Sequence, residues 1–399
     1  MKRAVTLGFA LAWTTAAIGC FAQAKAVPNQ LRQTALALEQ QGKNSEAEAA
    51  WRSFLKAHPS DPEPYAHLGL LESRQGRYKE AIELYRKALT LGPKLPSVEL
   101  NLGLAEFKAG ELKNAIATFN PLLQREPASS PIAQQLTVLI GMAHYGLAEY
   151  AAAAPYLQKA ADADSTSLPL LLALAHSYLW SKQSKNVLEV YKKILQINPD
   201  SAEADMLAGE ALDEMKDNAG ATQMFRAAVK ANPKEPNAHF GLGYLLWAQK
   251  QYPEAAKEFE AELANDPNHA QAMLYLANAD LQMNQMAPAQ LLLEKVIQLD
   301  PSLALAYLDL GIVYSETDRN QDALRELTEA AKRMPDDVNV HWRLGRLYRT
   351  MGKKEEAKAE FDKASKLNKA ADEDLYKKIA NGNAHPPQSQ TAPATPTDK

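Results

Sequence analysis

One regularity limits what this chain can become: small residues, large rings and prolines return every 34 residues. The segment Pro236–His269 shows the unit. Leu242, Leu245, Leu246 and Gln249 share one face at helical spacing, with Gly243 beside them. A polar turn, Gln249–Tyr252, follows, and Pro253 stands where a helix's first N–H is unpaired in any case. Ala255, Ala256, Phe259 and Leu263 form the inner face of a second helix, which Asp266-Pro267-Asn268 stops.

The recurrence is visible in four columns. The Gly243 column holds Ala35, Gly69, Gly103, Gly141, Ala175, Gly209, Ala277, Gly311 and Gly345, nothing larger than Ala. The Ala255 column is Ala everywhere except Val187, and the Phe259 column runs from Trp51 and Tyr85 to Leu327 and Phe361. Proline fills the Pro267 column except at Ser165 and Lys369. Small residues let two helices approach closely, a large side chain plugs the remaining space, and proline ends the pair. These columns resemble the tetratricopeptide repeat (TPR) family, with ten repeats over Pro28–Ala371. Leu31, Tyr65, Met273 and Tyr307 stand where that family usually has Trp. The resemblance implies an all-α fold: a right-handed α-solenoid (superhelix) of antiparallel helix pairs. A solenoid buries its core between neighbours, so 399 residues need no central core.

Several segments depart from the period. Met1–Ala26 has Lys2 and Arg3, an apolar stretch and Ala22-Gln23-Ala24, the pattern of a signal peptide. Ala17-Ile18-Gly19-Cys20 resembles a lipoprotein box, so a lipid anchor on Cys20 is the alternative to soluble export. Residues 119–133 are expected to form a local irregularity or hinge, or else an inert extension that lengthens the next helix by about one turn. Pro121 falls inside a helix there, and four extra residues, Ser130–Ala133, follow. Ser129 or Ser130 can cap a helix beginning at Pro131. Asp372–Ala380 is expected to form a separate cap helix with Asp372 as its N-cap. The Pro-rich stretch Asn381–Lys399 is expected to be disordered.

Composition and motifs point away from chemistry. The 44 basic and 48 acidic residues nearly balance, leaving no basic excess for nucleic acid. A single cysteine excludes a disulfide framework and a cysteine-cluster metal site. Gly241-Leu242-Gly243 lacks the third glycine of a dinucleotide loop, and no two histidines have zinc-protease spacing. No catalytic residue, cofactor or metal site is expected.

What remains is surface. In the resembling family, first helices line a concave groove that holds a peptide or partner segment. Here the first helices carry Trp180, Phe240, Tyr244, Trp247, Trp342, Arg343, Arg346 and Arg349 as the candidate partner-binding residues. Glu203, Glu210, Asp213 and Glu214 add an acidic spot. The column Arg32, Ala66, Leu100 through Trp342 contains no Lys, so the family's clamp for a terminal carboxylate is absent. The column Gln33, His67, Asn101 through Tyr275, Asp309 and Arg343 lacks the Asn ladder of the sugar-transferase arrays. The expected function is an exported, non-catalytic scaffold that binds protein or peptide segments during assembly of an envelope or secretion complex. The alternative is an accessory of polysaccharide export that contacts polymer through groove aromatics. Membrane contact is expected only through a lipid on Cys20.

Overall fold

The computed structural model describes residues 30–380. The expected signal peptide, Cys20 and the tail 381–399 lie outside the described residues. Among these residues the structure holds twenty α-helices and no strand, the all-α solenoid of helix pairs that the columns imply. The chain divides into two compact units between Ala231 and Asn232.

In the N-terminal unit the first helices are α1 (Gln30–Gln40), α3 (Pro62–Arg74), α5 (Pro96–Lys108), α7 (Pro131–Gly146), α9 (Leu168–Trp180) and α11 (Ala202–Glu214). Their partners are α2 (Asn44–Ala57), α4 (Tyr78–Leu91), α6 (Leu112–Arg125), α8 (Tyr150–Ala163), α10 (Ser184–Ile197) and α12 (Asn218–Ala231). In the C-terminal unit α13 (Ala238–Ala248), α15 (Ala270–Gln282), α17 (Ala304–Glu316) and α19 (Val338–Thr350) come first in each pair. They pair with α14 (Tyr252–Asn265), α16 (Met286–Leu299), α18 (Asn320–Arg333) and α20 (Lys354–Ala380).

The core of each pair is the meeting of two columns. A Cβ placed on Gly243 would lie 2.8 Å from Cε1 of Phe259; on Gly103, 2.3 Å from Cε1 of Phe119; on Gly345, 2.7 Å from Cε1 of Phe361. These contacts leave no room for a side chain, which is why the column stays small. The alanines opposite are buried as well, Ala255, Ala289 and Ala323 completely. Stacking neighbouring pairs extends this packing into elongated clusters, such as the one running from Met273 through Leu308 to Leu347.

One structural column lies in the turns. Gly42, Gly76, Gly110, Ala148, Lys182, Lys216, Lys250, Asn284, Asp318 and Gly352 all have positive φ, between 58° and 79°. After α13 the N–H of Lys250 bonds to the carbonyl of Trp247 (2.9 Å) and that of Gln251 to Leu246 (2.9 Å). This left-handed cap satisfies the last carbonyls of the helix and reverses the chain.

Several helix boundaries have local causes. The four-residue insertion extends α7 backwards to Pro131, and Ser130 Oγ accepts the N–H of Ala133 at 3.0 Å. Helices α6 and α8 run on through Pro121 and Pro155. Helix α13 begins at Ala238, not at Pro236 as the column suggested. Asn237 there has φ 66°, and the buried carboxylate of Glu262 on α14 accepts the N–H groups of Asn237 (3.0 Å) and Phe240 (3.2 Å). A carboxylate from the partner helix thus caps α13 in place of a local side chain. The separate cap helix expected at Asp372–Ala380 is corrected: α20 is continuous from Lys354 to Ala380. The stop is missing because Lys369 occupies the proline column.

Candidate functional site

The first helices of the C-terminal unit lie side by side, and each presents a residue to the next. Phe240, Tyr244 and Trp247 sit four and three residues apart on α13, so they share one side of that helix. Tyr275 of α15 stands among them. Its ring centroid lies 6.0 Å from Phe240, 5.3 Å from Tyr244 and 5.1 Å from Trp247, edge-on to all three. Phe240 also leans on Phe259 and His269, so it belongs to the packing of its pair as much as to the surface. Tyr244 is 36% exposed and forms the rim. Trp247 is half-buried, and its indole Nε1 donates to Asn278 Oδ1 of α15 at 2.9 Å.

That hydrogen bond begins a chain. Asn278 Nδ2 donates to Asp309 Oδ2 of α17 at 3.1 Å. Asp309 is buried, and burial pushes its carboxyl up to about 6, against the pull of the Asn278 hydrogen bond and of the nearby Arg343 charge. Arg343 on α19 is the next group along. Residues from four successive first helices therefore form one wall: an aromatic nest, an amide, a carboxylate and a guanidinium.

Around Arg343 the wall ends in cations. The guanidinium carbons of Arg343 and Arg346 lie 5.5 Å and 5.0 Å from the ring centroid of Trp342, which is 43% exposed. Arg349 points elsewhere, over the Phe361 ring at 5.9 Å. Burial, with the charge of Arg346 added, pushes the Arg343 guanidinium below its ordinary pKa.

Trp180 stands apart in the N-terminal unit. It is 60% exposed and stacks on Tyr150, with centroids 6.0 Å apart. Nearby, Tyr145 meets His176 edge-on at 6.2 Å, and His176 Nε2 lies 3.1 Å from Glu203 Oε1. Burial pushes Glu210 above the usual carboxylate range, partly offset by His176.

The candidate residues thus separate into three places: Phe240, Tyr244 and Trp247 together, Trp342, Arg343 and Arg346 together, and Trp180 in the other unit. Tyr275, Asn278 and Asp309 join the first two groups into one wall. The column that argues against an Asn ladder contains both Tyr275 and Asp309, and nothing in that column marks either as a wall residue. Two of the histidines have structural partners: His239 Nδ1 pairs with Glu258 and His341 Nδ1 with Glu360, each at 2.6 Å. Among the described residues no group of three or more His, Cys, Asp or Glu side chains is placed to hold a metal ion, and no helix is long and apolar enough to cross a membrane.

Comparison with known proteins gives a family match over most of the chain. The tetratricopeptide repeat family matches at residues 32–96 and 206–270, and again at 73–139, 246–308 and 314–381. No curated protein matches. Similar solved structures include MamA, at 22% identity over 41% of this chain and 96% of that one, with a TM-score of 0.38. Another is YrrB, described as a TPR protein with an unusual peptide-binding site, at 18% identity over 47% of this chain and 97% of that one, TM-score 0.40. PilF of Pseudomonas aeruginosa matches at 18% identity over 48% of this chain and 88% of that one, TM-score 0.44.

Proposed function

This chain belongs to the tetratricopeptide repeat family, and we propose that it is a non-catalytic scaffold that holds partner protein segments on its first helices. The observation that carries this reading is the wall built from Tyr244, Trp247, Tyr275 and Asn278. It combines a partly exposed aromatic rim with oriented polar groups beneath it, the composition of interface hot spots. The proposal extends to location and context. The Met1–Ala26 pattern supports export, either as a soluble protein or held by lipid on Cys20, and assembly of an envelope or secretion complex is the proposed setting.

Crosslinking in intact cells, followed by capture of this chain, tests the reading. The double substitution Tyr244→Ala, Trp247→Ala is expected to weaken capture of the crosslinked protein by at least about 2 kcal/mol. Circular dichroism must show the variant still folded at the assay temperature. A folded variant with unchanged capture removes this wall from the binding surface. Recovery of polysaccharide in place of protein replaces the partner class. Mass spectrometry of the cellular protein reports the leader: an intact Met1 ends the export proposal.

A further inference from the structure

The arginines of the C-terminal unit fall into two groups. On α18 and at its N-cap each has a carboxylate at hand: Arg319 Nη2 lies 2.7 Å from Asp322, Arg325 Nε lies 2.8 Å from Glu326, and Arg333 pairs with Glu329. On α19 the pattern stops. The carboxylate oxygen nearest to Arg343 is Glu316 Oε1 at 3.9 Å, beyond hydrogen-bonding distance. Arg343 Nε is enclosed and has no hydrogen-bond partner, although a guanidinium has five N–H donors to satisfy. Asp309 attracts Arg343, but the hydrogen bond it accepts comes from Asn278. Arg346, one turn along, is exposed, its guanidinium lies 5.0 Å from the Trp342 ring centroid, and among the described residues it has no carboxylate within ion-pairing distance. An under-bonded cation beside a second cation is costly unless an anion arrives.

Resting on the proposed binding of partner segments, we infer that Arg343 and Arg346, held over the Trp342 ring, form a docking site for an internal Asp or Glu side chain of an acidic peptide. Two guanidinium groups spaced three residues apart on one helix face can share one carboxylate through charge-assisted hydrogen bonds. The exposed indole of Trp342 offers an apolar surface to the residue beside that acid. Charge selects a carboxylate over a phosphate. Asp309 and Glu316 already lie next to Arg343, so the site balances one negative charge better than the nearly double charge of a phosphate group. Trp247, Asn278 and Asp309 lead from the aromatic nest to this site, so an extended segment lying across the four first helices could reach both.

The test is fluorescence anisotropy with the full chain and three short fluorescein-labelled peptides. The first alternates Glu with Leu and has an amidated end. The second replaces Glu with Gln. The third is the Gln peptide with a free terminal carboxylate. The Glu peptide is expected to bind at least about ten-fold more tightly than either Gln peptide, and raising salt should erode the difference. Arg346→Gln should weaken the Glu peptide by about ten-fold or more and leave the Gln peptides unchanged, and Trp342→Ala should also weaken the Glu peptide by about ten-fold or more. Arg346 is exposed, so its substitution spares the core. Equal binding of Glu and Gln peptides, no response to Arg346→Gln, or no binding of the Glu peptide overturns the inference. So does preferential binding of the free-terminus peptide, or complete displacement of the Glu peptide by a few millimolar inorganic phosphate. Each of these leaves the cellular capture experiment on Tyr244 and Trp247 standing, so failure here is distinct from failure of the scaffold reading.

Discussion

Asp309 shows how much one residue's neighbours decide. In the unfolded chain its carboxyl titrates near the ordinary value of 3.8, and burial raises it to about 6 in the fold. The folded chain therefore holds this proton more tightly than the unfolded chain. Its contribution to stability is full at acid pH and is lost as pH rises through 6. Asp280, raised to about 6 by burial and by Glu260, acts in the same direction, while carboxylates such as Asp322, lowered by its hydrogen bond from Arg319, act oppositely. Comparison with Asp309→Asn isolates the single group. Between pH 7 and pH 5, urea unfolding of the native chain should gain about 1 kcal/mol relative to the variant. Equal responses of the two proteins would show that Asp309 is not desolvated as its position implies.

At the scale of the element, the turn between paired helices is fixed by backbone geometry more than by residue type. All ten such turns use a residue with positive φ, yet only Gly42, Gly76, Gly110 and Gly352 are glycines. The other six carry a Cβ in the left-handed region, which costs about 1 kcal/mol or somewhat more. Ala148 is the cleanest case, with φ 58° and no side-chain function to lose. Ala148→Gly should raise stability by about 0.5–1 kcal/mol in denaturant melts. The same substitution at Ala255, buried within α14, should lower it by a similar amount or more. Gain at Ala255 or loss at Ala148 would show that the cap does not govern these turns. The glycine and proline columns are visible in the sequence; the left-handed column is not, because Ala, Lys, Asn and Asp all occupy it.

For the whole molecule, the division between Ala231 and Asn232 matters most. Each unit has its own buried clusters, that around Leu171 and Leu174 in one and that around Leu308 and Leu327 in the other. A solenoid's stability is close to a sum over repeats and their neighbours, so each unit should fold alone. Residues 1–231 and 232–399, expressed separately, are expected to give helical circular dichroism and a cooperative melt. A flat, non-cooperative melt from either fragment would show that its clusters depend on the other. The sequence placed its irregularity at residues 119–133, where an insertion and Pro121 coincide. The division of the chain into compact units is a different feature, at 231/232, just before the residues where α13 loses its first two positions and Asn237 turns left-handed. Nothing in the columns marks that site, since Pro233 and Pro236 both fit the period.

The sequence by itself determined the helix pair and its tenfold recurrence. That is so because the contacts involved are short in range: Gly243 meets Phe259 sixteen positions on, and each repeat states the same requirement again. Size alone, nothing larger than Ala against a large side chain, is enough to specify it. The sequence also placed Phe240, Tyr244 and Trp247 on one side of a helix, and Arg343, Arg346 and Arg349 on one side of another, through helical spacing. Only the tertiary structure decided what those faces meet. Trp247 finds Asn278, and Asn278 finds Asp309, each across 31 positions instead of 34. Those pairings are set by how one first helix lies against the next, an offset that no column records. Burial follows from the same offset. It makes Asp309 a desolvated acid and leaves Arg343 short of partners, although as letters in the sequence each is one charge among many.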